Sequence, residues 1–239
     1  MTDEKNKLLD ILINITNEKS CKTISNELNV AAGTVKRWIE LENVPESYEF
    51  ELMKLANLNI DYSKYSSKQK DQFYTPIDTA KYCYEKFLEI ISLNSNSNSN
   101  GNSDWEEESN YTYIEPSAGS GNFLEVLPKD RTIAIDIEPK IDLDYFIKTD
   151  YLNWMPDGWK EGEGEGEGVG KKYVVFGNPP FGLRGQLALK FINHSYDFAD
   201  YVCFILPQLF ESDGKGVPRK RVKKYNLIHS EKLNTHFLE

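Results

Sequence analysis

The sequence has few cysteines, few histidines and no long hydrophobic run. Its three cysteines, Cys21, Cys83 and Cys203, are odd in number and widely spaced, so they predict neither a disulfide framework nor a paired metal site. The three histidines show no metal-ligand spacing either. No apolar stretch approaches the roughly 18 residues that a membrane span needs, and the charged start of the chain does not resemble a signal peptide. We therefore expect an intracellular protein that has neither a metal nor a membrane partner.

The sequence also lacks an excess of positive charge, which argues against a nucleic-acid partner. Its formal net charge is -10. The acidic residues, however, are concentrated in Glu106–Glu108 and in the EGEGEGEG tract at 161–168. Near the C-terminus lies a basic cluster composed of Arg219, Lys220, Arg221, Lys223 and Lys224. This cluster predicts either contact with DNA phosphates or a solvated loop of charges.

Two polar tracts and a change of pattern organise the chain. Residues 94–103, NSNSNSNGNS, and residues 161–168 contain nothing apolar to bury, so both predict flexible loops. Residues 1–62 have the apolar spacing of helices, whereas residues 63–239 alternate between strand-like and helix-like segments. We therefore expect two domains that meet near residue 62.

Residues 1–62 predict a small all-α domain. Apolar residues from Leu8 to Ile15 follow helical spacing, and Ser20 is placed to cap a second helix that carries Ile24, Leu28 and Val30. Residues 31–33 form a tight Gly-bearing turn, and a third helix is predicted over Thr34–Glu42. Two short helices joined by such a turn are typical of a helix-turn-helix module.

The third helix predicts a surface that could contact DNA. Its apolar face consists of Val35, Trp38, Ile39 and Leu41. Thr34, Lys36 and Arg37 would then lie on the outer face, where a recognition helix meets DNA. The alternative is a helical bundle that contacts protein, and the acidic charge of the segment favours that alternative.

Residues 63–239 predict an α/β domain with a doubly wound, Rossmann-like sheet. The β-rich runs are Tyr111–Ile114, Thr132–Ile135, Tyr145–Ile147, Tyr173–Phe176 and Tyr201–Leu206. Helices are predicted over Ile77–Ile91 and Leu187–Phe198. Alternating strands and helices imply parallel pairing, and ligands of such sheets bind beyond the carboxyl ends of the strands.

Two motifs follow the first two predicted strands. Residues 115–123, EPSAGSGNF, form a Gly-rich strand-to-helix turn that lets the backbone approach a ligand closely. Asp136 ends the second strand, where a carboxylate can accept hydrogen bonds from ribose hydroxyls. Each feature alone is also compatible with a plain loop or a capping aspartate, but their spacing fits one βαβ unit.

The most specific motif follows the fourth predicted strand, at residues 177–181, GNPPF. Two consecutive prolines hold a stiff extended turn. The Asn178 amide and the Pro179 carbonyl would then act as two acceptors for one planar amino group. Asp150 follows the weaker third strand at the same predicted edge.

The order of FYTP, EPSAGSGNF, IDIEPK, TDYLNW and GNPPF resembles that of gamma-class DNA adenine-N6 methyltransferases, from about residue 70 to 210. The resemblance implies the cofactor S-adenosylmethionine and the partner DNA, with a restriction endonuclease or a second subunit as further partners. Implied cofactor contacts are Tyr74, Thr75, Pro76, Glu115, Ser117, Gly119, Gly121, Asp136, Ile137, Asp150 and Tyr151. Implied catalytic residues are Asn178, Pro179, Pro180 and Phe181, and the DNA-contact candidates are Thr34, Lys36, Arg37, Arg219, Lys220 and Arg221.

The resemblance also implies individual roles. Glu115 would reach the cofactor's ammonium group, and Asp136 would hold its ribose hydroxyls. Ile137 and Tyr151 would pack on the cofactor adenine, whose amino group Asp150 would bind. The target adenine would leave the duplex stack and place its amino group on Asn178 and Pro179, with Phe181 stacked on the base.

Two features leave alternatives open. The family's catalytic domain usually continues into a hairpin and a target-recognition region, whereas this sequence ends at Glu239, so we expect a C-terminal truncation or target recognition by the N-terminal module. The NPPF motif is shared with protein-glutamine and RNA methyltransferases, and a non-catalytic DNA-binding regulator is a further alternative. A DNA substrate implies a cytoplasmic location, or one with the DNA in the nucleoid or nucleus.

Overall fold

The computed structural model divides the chain into two compact units, Met1–Asp71 and Gln72–Glu239. The residues that it describes are 2–28, 30–31, 33–58, 60, 73–95, 111–157, 171–212, 214 and 217–237. The predicted boundary after residue 62 lies outside the described residues, as do residues 96–103 and 161–168 of the two polar tracts.

The described part of the first unit is all-α. Its helices are α1 (Thr2–Glu18), α2 (Cys21–Glu27), α3 (Thr34–Glu40) and α4 (Glu49–Leu55). As predicted, Ser20 caps α2, because its Oγ accepts a hydrogen bond from the Thr23 amide at 3.1 Å. The helices share one core, whose fully buried side chains include Leu12, Ile24, Val35 and Leu52.

Both short helices end earlier than the sequence predicts. α2 ends at Glu27, so Val30 lies beyond it. α3 ends at Glu40, and Glu42 has a positive φ of 48°, which a right-handed helix does not contain. Leu41, predicted to lie on the apolar face, is consequently 61% exposed.

The two faces of α3 differ as predicted. Val35 and Trp38 are buried in the core of the first unit. Lys36 and Arg37 are exposed, and Thr34 is half-buried. The two basic side chains of this helix are therefore accessible.

The second unit contains a five-stranded parallel sheet. Its strands are β1 (Tyr111–Glu115), β2 (Thr132–Asp136), β3 (Phe146–Lys148), β4 (Lys172–Gly177) and β5 (Tyr201–Phe204). They lie in the order β3-β2-β1-β4-β5, and each neighbouring pair is parallel. The predicted α/β class with a parallel sheet is thus confirmed. Because the chain crosses from β3 to the other side of β1, the strand order reverses between β1 and β4.

The sheet is covered by helices on both faces. α5 (Ile77–Ser95) packs on one face, where Phe87 meets the rings of Tyr113 and Phe176 edge-on at centroid distances of 6.4 and 5.5 Å. α6 (Gln186–Ser195) packs on the other face, where Phe191 shares a cluster with Ile114 and Val175. The alternation of side chains along β1 and β4 therefore builds two cores from one sheet.

Several element ends differ from the sequence-based expectation. α5 extends to Ser95 and so includes the start of a tract predicted as loop, whereas α6 ends at Ser195 instead of Phe198 and β5 at Phe204 instead of Leu206. The connection from β1 to β2 consists of consecutive turns, whereas the sequence predicted that a helix follows the Gly-rich turn. Gly119 and Gly121 lie in the first half of this connection and have positive φ values, which a right-handed helix does not contain.

Within the described part of the chain, no helix is both long and apolar enough to cross a membrane.

Candidate active site at the strand reversal

The carboxyl ends of β1, β2 and β4 meet at one edge of the sheet. The turn after β1 is joined to β2 by a hydrogen bond of 3.0 Å from the Ala118 amide to the Ile135 carbonyl. The same turn is joined to the end of β4, because Ser117 Oγ donates to the Asn178 carbonyl at 3.1 Å. The predicted motifs of these three strands therefore form one site at the position where the strand order reverses.

Asp136 organises the Gly-rich turn. Its Oδ2 accepts a hydrogen bond of 2.8 Å from the Gly119 amide, and its Oδ1 accepts one of 2.7 Å from the Glu138 amide. Gly119 and Gly121 have φ values of 49° and 81°, a conformation that favours glycine. The residue predicted to hold a ribose thus also holds the Gly-rich turn in place.

The segment before α5 crosses this edge and is anchored by two side-chain amides. Asn178 Nδ2 donates to the Phe73 carbonyl at 2.9 Å, and Asn122 Nδ2 donates to the Thr75 carbonyl at 2.6 Å. The ring of Tyr74 covers Gly119, where an added Cβ would lie 2.9 Å from Tyr74 Cε1. Residues 73–75 are therefore fixed to the turns that follow β1 and β4.

Pro76 has a different position from its predicted neighbours. Its carbonyl accepts a hydrogen bond of 3.0 Å from the Ala80 amide, which belongs to the first turn of α5. Pro76 therefore lies at the start of α5, while Tyr74 and Thr75 make the contacts at the edge of the sheet.

Three buried polar atoms of this site have no hydrogen-bond partner. They are Thr75 Oγ1, Glu115 Oε2 and Asn178 Oδ1. Leaving a buried polar atom unpaired costs free energy, so a ligand with donor or cationic groups would be stabilised by contact with these atoms.

Two carboxyl groups give the site its electrostatic character. Burial raises the pKa of Glu115 well above its ordinary value, and the nearby Asp136 carboxylate adds to the rise. Burial also raises the pKa of Asp136, although hydrogen bonds from the Glu138 and Gly119 amides oppose that rise. A cation bound here would stabilise the ionised form of both groups.

The residues that follow β2 and β3 occupy two different environments. Ile137 is 36% exposed, so its side chain is accessible beside Asp136. Asp150 is half-buried, and its Oδ1 accepts a hydrogen bond of 3.1 Å from the Leu152 amide.

Tyr151 does not lie where the resemblance implies. It is only 1% exposed, its hydroxyl is 2.7 Å from Ser195 Oγ, and its ring packs on Phe191. This position is a correction to the prediction of a ring stacked on the cofactor. The reason is that an aromatic ring with a buried hydroxyl partner is more stable inside the core than on an open edge.

The motif after β4 is also placed in a specific way. Pro179 is buried and Pro180 is half-buried. Phe181 packs against a cluster that includes Leu189 and Phe210, and its carbonyl accepts a hydrogen bond of 3.0 Å from the Leu187 amide. Because the Phe181 ring is partly covered by this cluster, only its remaining exposed part is accessible for the predicted stacking on a base.

The basic residues near the C-terminus form a short helical turn. This turn spans Pro218–Arg221, with Arg219 half-buried and Lys220 and Arg221 exposed.

Within the ranges that the structure describes, no group of three or more His, Cys, Asp or Glu side chains could hold a metal ion.

Sequence reasoning missed two of the residues that shape this site. Asn122 lies inside the quoted EPSAGSGNF motif, but no role was predicted for it, and the Phe73 carbonyl has no side-chain signal at all. The contact of Asn122 joins positions 47 residues apart and that of Phe73 joins positions 105 residues apart, so only the folded structure reveals these two contacts.

No family model, curated protein or solved structure matches this chain.

Proposed function

We propose that the chain is an S-adenosylmethionine-dependent methyltransferase that acts on the N6 amino group of adenine in DNA. One observation carries this proposal: Asn178 Nδ2 is engaged by the Phe73 carbonyl, so Asn178 Oδ1 is left as a buried acceptor without a partner. An acceptor held in this way suits an incoming amino group, which brings two N–H donors.

The residues at the edge fit the cofactor. The buried Glu115 carboxyl has no partner at Oε2, and a cofactor ammonium would offset its desolvation. Asp136 and the accessible Ile137 stand side by side, as a ribose and an adenine ring require. The Gly-rich turn between β1 and β2 lies at the reversal of strand order, where sheets of this Rossmann-like arrangement bind nucleotides.

The chemistry asked of the protein is positioning and polarisation. S-adenosylmethionine, when bound, supplies an electrophilic methyl group on a sulfonium centre. Asn178 Oδ1 and the Pro179 carbonyl would accept hydrogen bonds from the target amino group and make its nitrogen lone pair available outside the ring. Preorganised acceptors of this kind stabilise developing charge without reorganisation during the reaction.

The first unit supports DNA as the substrate. α2 and α3 would form the helix-turn-helix pair, with the exposed Lys36 and Arg37 directed at phosphates. The target adenine would be flipped out of the duplex to reach Asn178.

The test is methylation of unmethylated genomic DNA with radiolabelled cofactor, followed by digestion and nucleoside analysis. We expect label in N6-methyladenine, and about 10²–10³-fold less label with the variant Asn178→Ala. Label in cytosine would overturn the assignment of the base. Transfer to RNA or to a protein glutamine, with none to DNA, would favour the alternative substrates of the same motif, and a protein that binds DNA without transferring any label would favour a non-catalytic regulator.

A further inference from the structure

The charges of the second unit are segregated. The described residues between 181 and 224 carry seven Lys and Arg but three Asp and Glu, although the whole chain has a net charge of -10. The seven are Arg184, Lys190, Arg219, Lys220, Arg221, Lys223 and Lys224. All of them except Arg219, which is half-buried, are exposed. This positive region begins immediately after the motif at residues 177–181.

Three short turns of this region pack on one another. They span Leu183–Gly185, Gln208–Glu211 and Pro218–Arg221. Their meeting point is Gly185, where an added Cβ would lie 2.8 Å from Phe210 Cε2 and 3.4 Å from Pro218 Cγ. Phe210 and Pro218 are themselves buried, so the turns form a packed base under the exposed basic side chains.

The third turn is also fastened to α6. Asn193 Nδ2 donates to the Arg221 carbonyl at 3.2 Å, and Asn193 Oδ1 accepts from the Lys223 amide at 2.8 Å. The backbone that carries Arg219–Arg221 is therefore held in place by a helix of the sheet's outer layer, as a preorganised binding surface requires.

Arg184 is the residue that links this surface to the active site. It lies three positions after Phe181 and has a φ of 52°, between Gly182 and Gly185 with φ values of 64° and 70°. An arginine in the left-handed region is strained, and such strain persists where the surroundings impose it, often at functional sites. Here the next residue, Gly185, lies against Phe210 and Pro218, and the Arg184 side chain is exposed.

We propose that Arg184 and the turn Pro218–Arg221 form a single phosphate-binding surface, which holds the backbone of double-stranded DNA beside Asn178. This inference rests on the proposed function and extends it with a residue, Arg184, that the sequence did not indicate. The binding group is the planar guanidinium of arginine, which donates two parallel hydrogen bonds to phosphate oxygens. The phosphate contacts would position the duplex, and the flipped base would enter the site at the end of β4.

The experiment measures binding of a fluorescein-labelled DNA duplex by the full chain over a range of salt concentrations. The variants are Arg184→Ala and the pair Arg219→Ala/Arg221→Ala, each made in the natural chain and in a Lys36→Ala/Arg37→Ala background that removes the contribution of α3. For each phosphate that a variant no longer binds, the fall of log affinity with log salt should become less steep by about 0.9. Lys129→Ala is the matched control, because Lys129 is an exposed cation just before β2, at the opposite edge of the sheet.

The inference is overturned if Arg184→Ala keeps the slope and affinity of the Lys129→Ala control in both backgrounds. Tighter binding of a single-stranded RNA of the same sequence than of the duplex would overturn the choice of DNA. Cofactor binding by Arg184→Ala, measured by calorimetry, should equal that of the natural chain, because Arg184 is not among the residues assigned to the cofactor. If the natural chain methylates DNA while Arg184→Ala binds and reacts equally well, only this inference fails. Failure of the natural chain to methylate DNA would instead count against the proposed function.

Discussion

The side-chain amide of Asn178 donates a hydrogen bond of 2.9 Å to the carbonyl oxygen of Phe73, a residue 105 positions earlier in the chain. A carbonyl oxygen accepts hydrogen bonds only, so it selects the Nδ2 end of the amide and leaves Oδ1 on the other side. Asn178 Oδ1 is buried without a partner, and Ser117 Oγ holds the Asn178 backbone carbonyl at 3.1 Å. Both the position and the orientation of this acceptor are thus determined by neighbouring elements.

We predict that Asn178→Ala lowers methyl transfer by about 10²–10³-fold, which is typical of the removal of one preorganised polar group from a transition state. Cofactor affinity should change little, because Asn122 still anchors the Thr75 carbonyl. Single-turnover transfer and calorimetric cofactor binding measure the two effects separately. Transfer at the natural rate would show that Asn178 does not contact the reacting group.

Asn122→Asp is predicted to weaken cofactor binding. The aspartate has the same size, but its ionised carboxylate cannot donate to the Thr75 carbonyl, now 2.6 Å from Asn122 Nδ2. The segment that places Tyr74 over Gly119 should therefore loosen. Asn122→Asp combined with Asn178→Ala removes both anchors, so the loss of cofactor affinity should exceed the sum of the single losses.

The control for this pair is Asn193→Asp. Asn193 makes the same kind of bond, from its amide to the Arg221 carbonyl at 3.2 Å, but it lies on α6. Cofactor affinity should be unchanged in the control. Equal effects of the Asn122 and Asn193 substitutions would mean that the anchoring of residues 73–75 has no specific role.

Glu115→Gln should change the pH dependence of stability. Because burial raises the pKa of Glu115 in the folded protein, the folded state binds more protons than the unfolded state above the ordinary pKa of about 4.3. The free energy of unfolding of the cofactor-free protein should therefore fall as pH rises from that value through the raised pKa. Glutamine removes this loss, so the variant should be more stable near neutral pH while binding the cofactor less tightly.

Urea titrations over a pH series measure this effect. Glu125→Gln is the matched control, since the Glu125 side chain is 66% exposed and has only a surface ion pair with Lys129. We expect the control to follow the natural chain at every pH. The same pH slope in Glu115→Gln as in the natural chain would contradict a pKa of Glu115 that burial raises.

Gly121→Ala should destabilise the second unit by about 1–2 kcal/mol, the cost of a left-handed conformation for an L-residue. Gly121 has a φ of 81°, and its added Cβ would lie 2.5 Å from Ile141 Cδ1. Gly214→Ala is the control, because Gly214 has no φ in the left-handed region and its nearest contact would be 3.4 Å from Ser212 Oγ. Thermal unfolding followed by circular dichroism compares the two, and an equal change in both would argue against a conformational requirement at Gly121.

Lys36→Ala with Arg37→Ala should weaken binding of a DNA duplex and reduce its salt dependence, by about 0.9 in the log–log slope for each phosphate that α3 no longer binds. Both side chains are exposed on α3, opposite the buried Val35 and Trp38. Lys7→Ala on α1 provides an exposed lysine of the same unit as a control. Unchanged binding by the double variant would favour the alternative of a bundle that contacts protein.

The sequence by itself determined the strands of the sheet, the helix α5 and the positions of the motifs. Helical spacing from Ile77 to Ile91 predicted α5, and β-rich runs predicted all five strands to within two residues at each end. These signals are local, because burial of one face imposes a period of 3.6 or 2 on neighbouring residues. The strand ends at Glu115 and Asp136 could be predicted for the same reason, as could Asn178 immediately beyond β4.

The tertiary structure alone decided which of these side chains lie in the core and how the others are oriented at the site. Tyr151 follows β3 in a motif that predicted a ligand contact, yet packing against Phe191 and the Ser195 hydroxyl places it in the core. The orientation of the Asn178 amide depends on Phe73, a residue that lies before α5 and reaches the end of β4 only in the folded chain. Local periodicity cannot contain such information, since a hydrogen bond between residues 105 positions apart depends on the order of strands in the sheet.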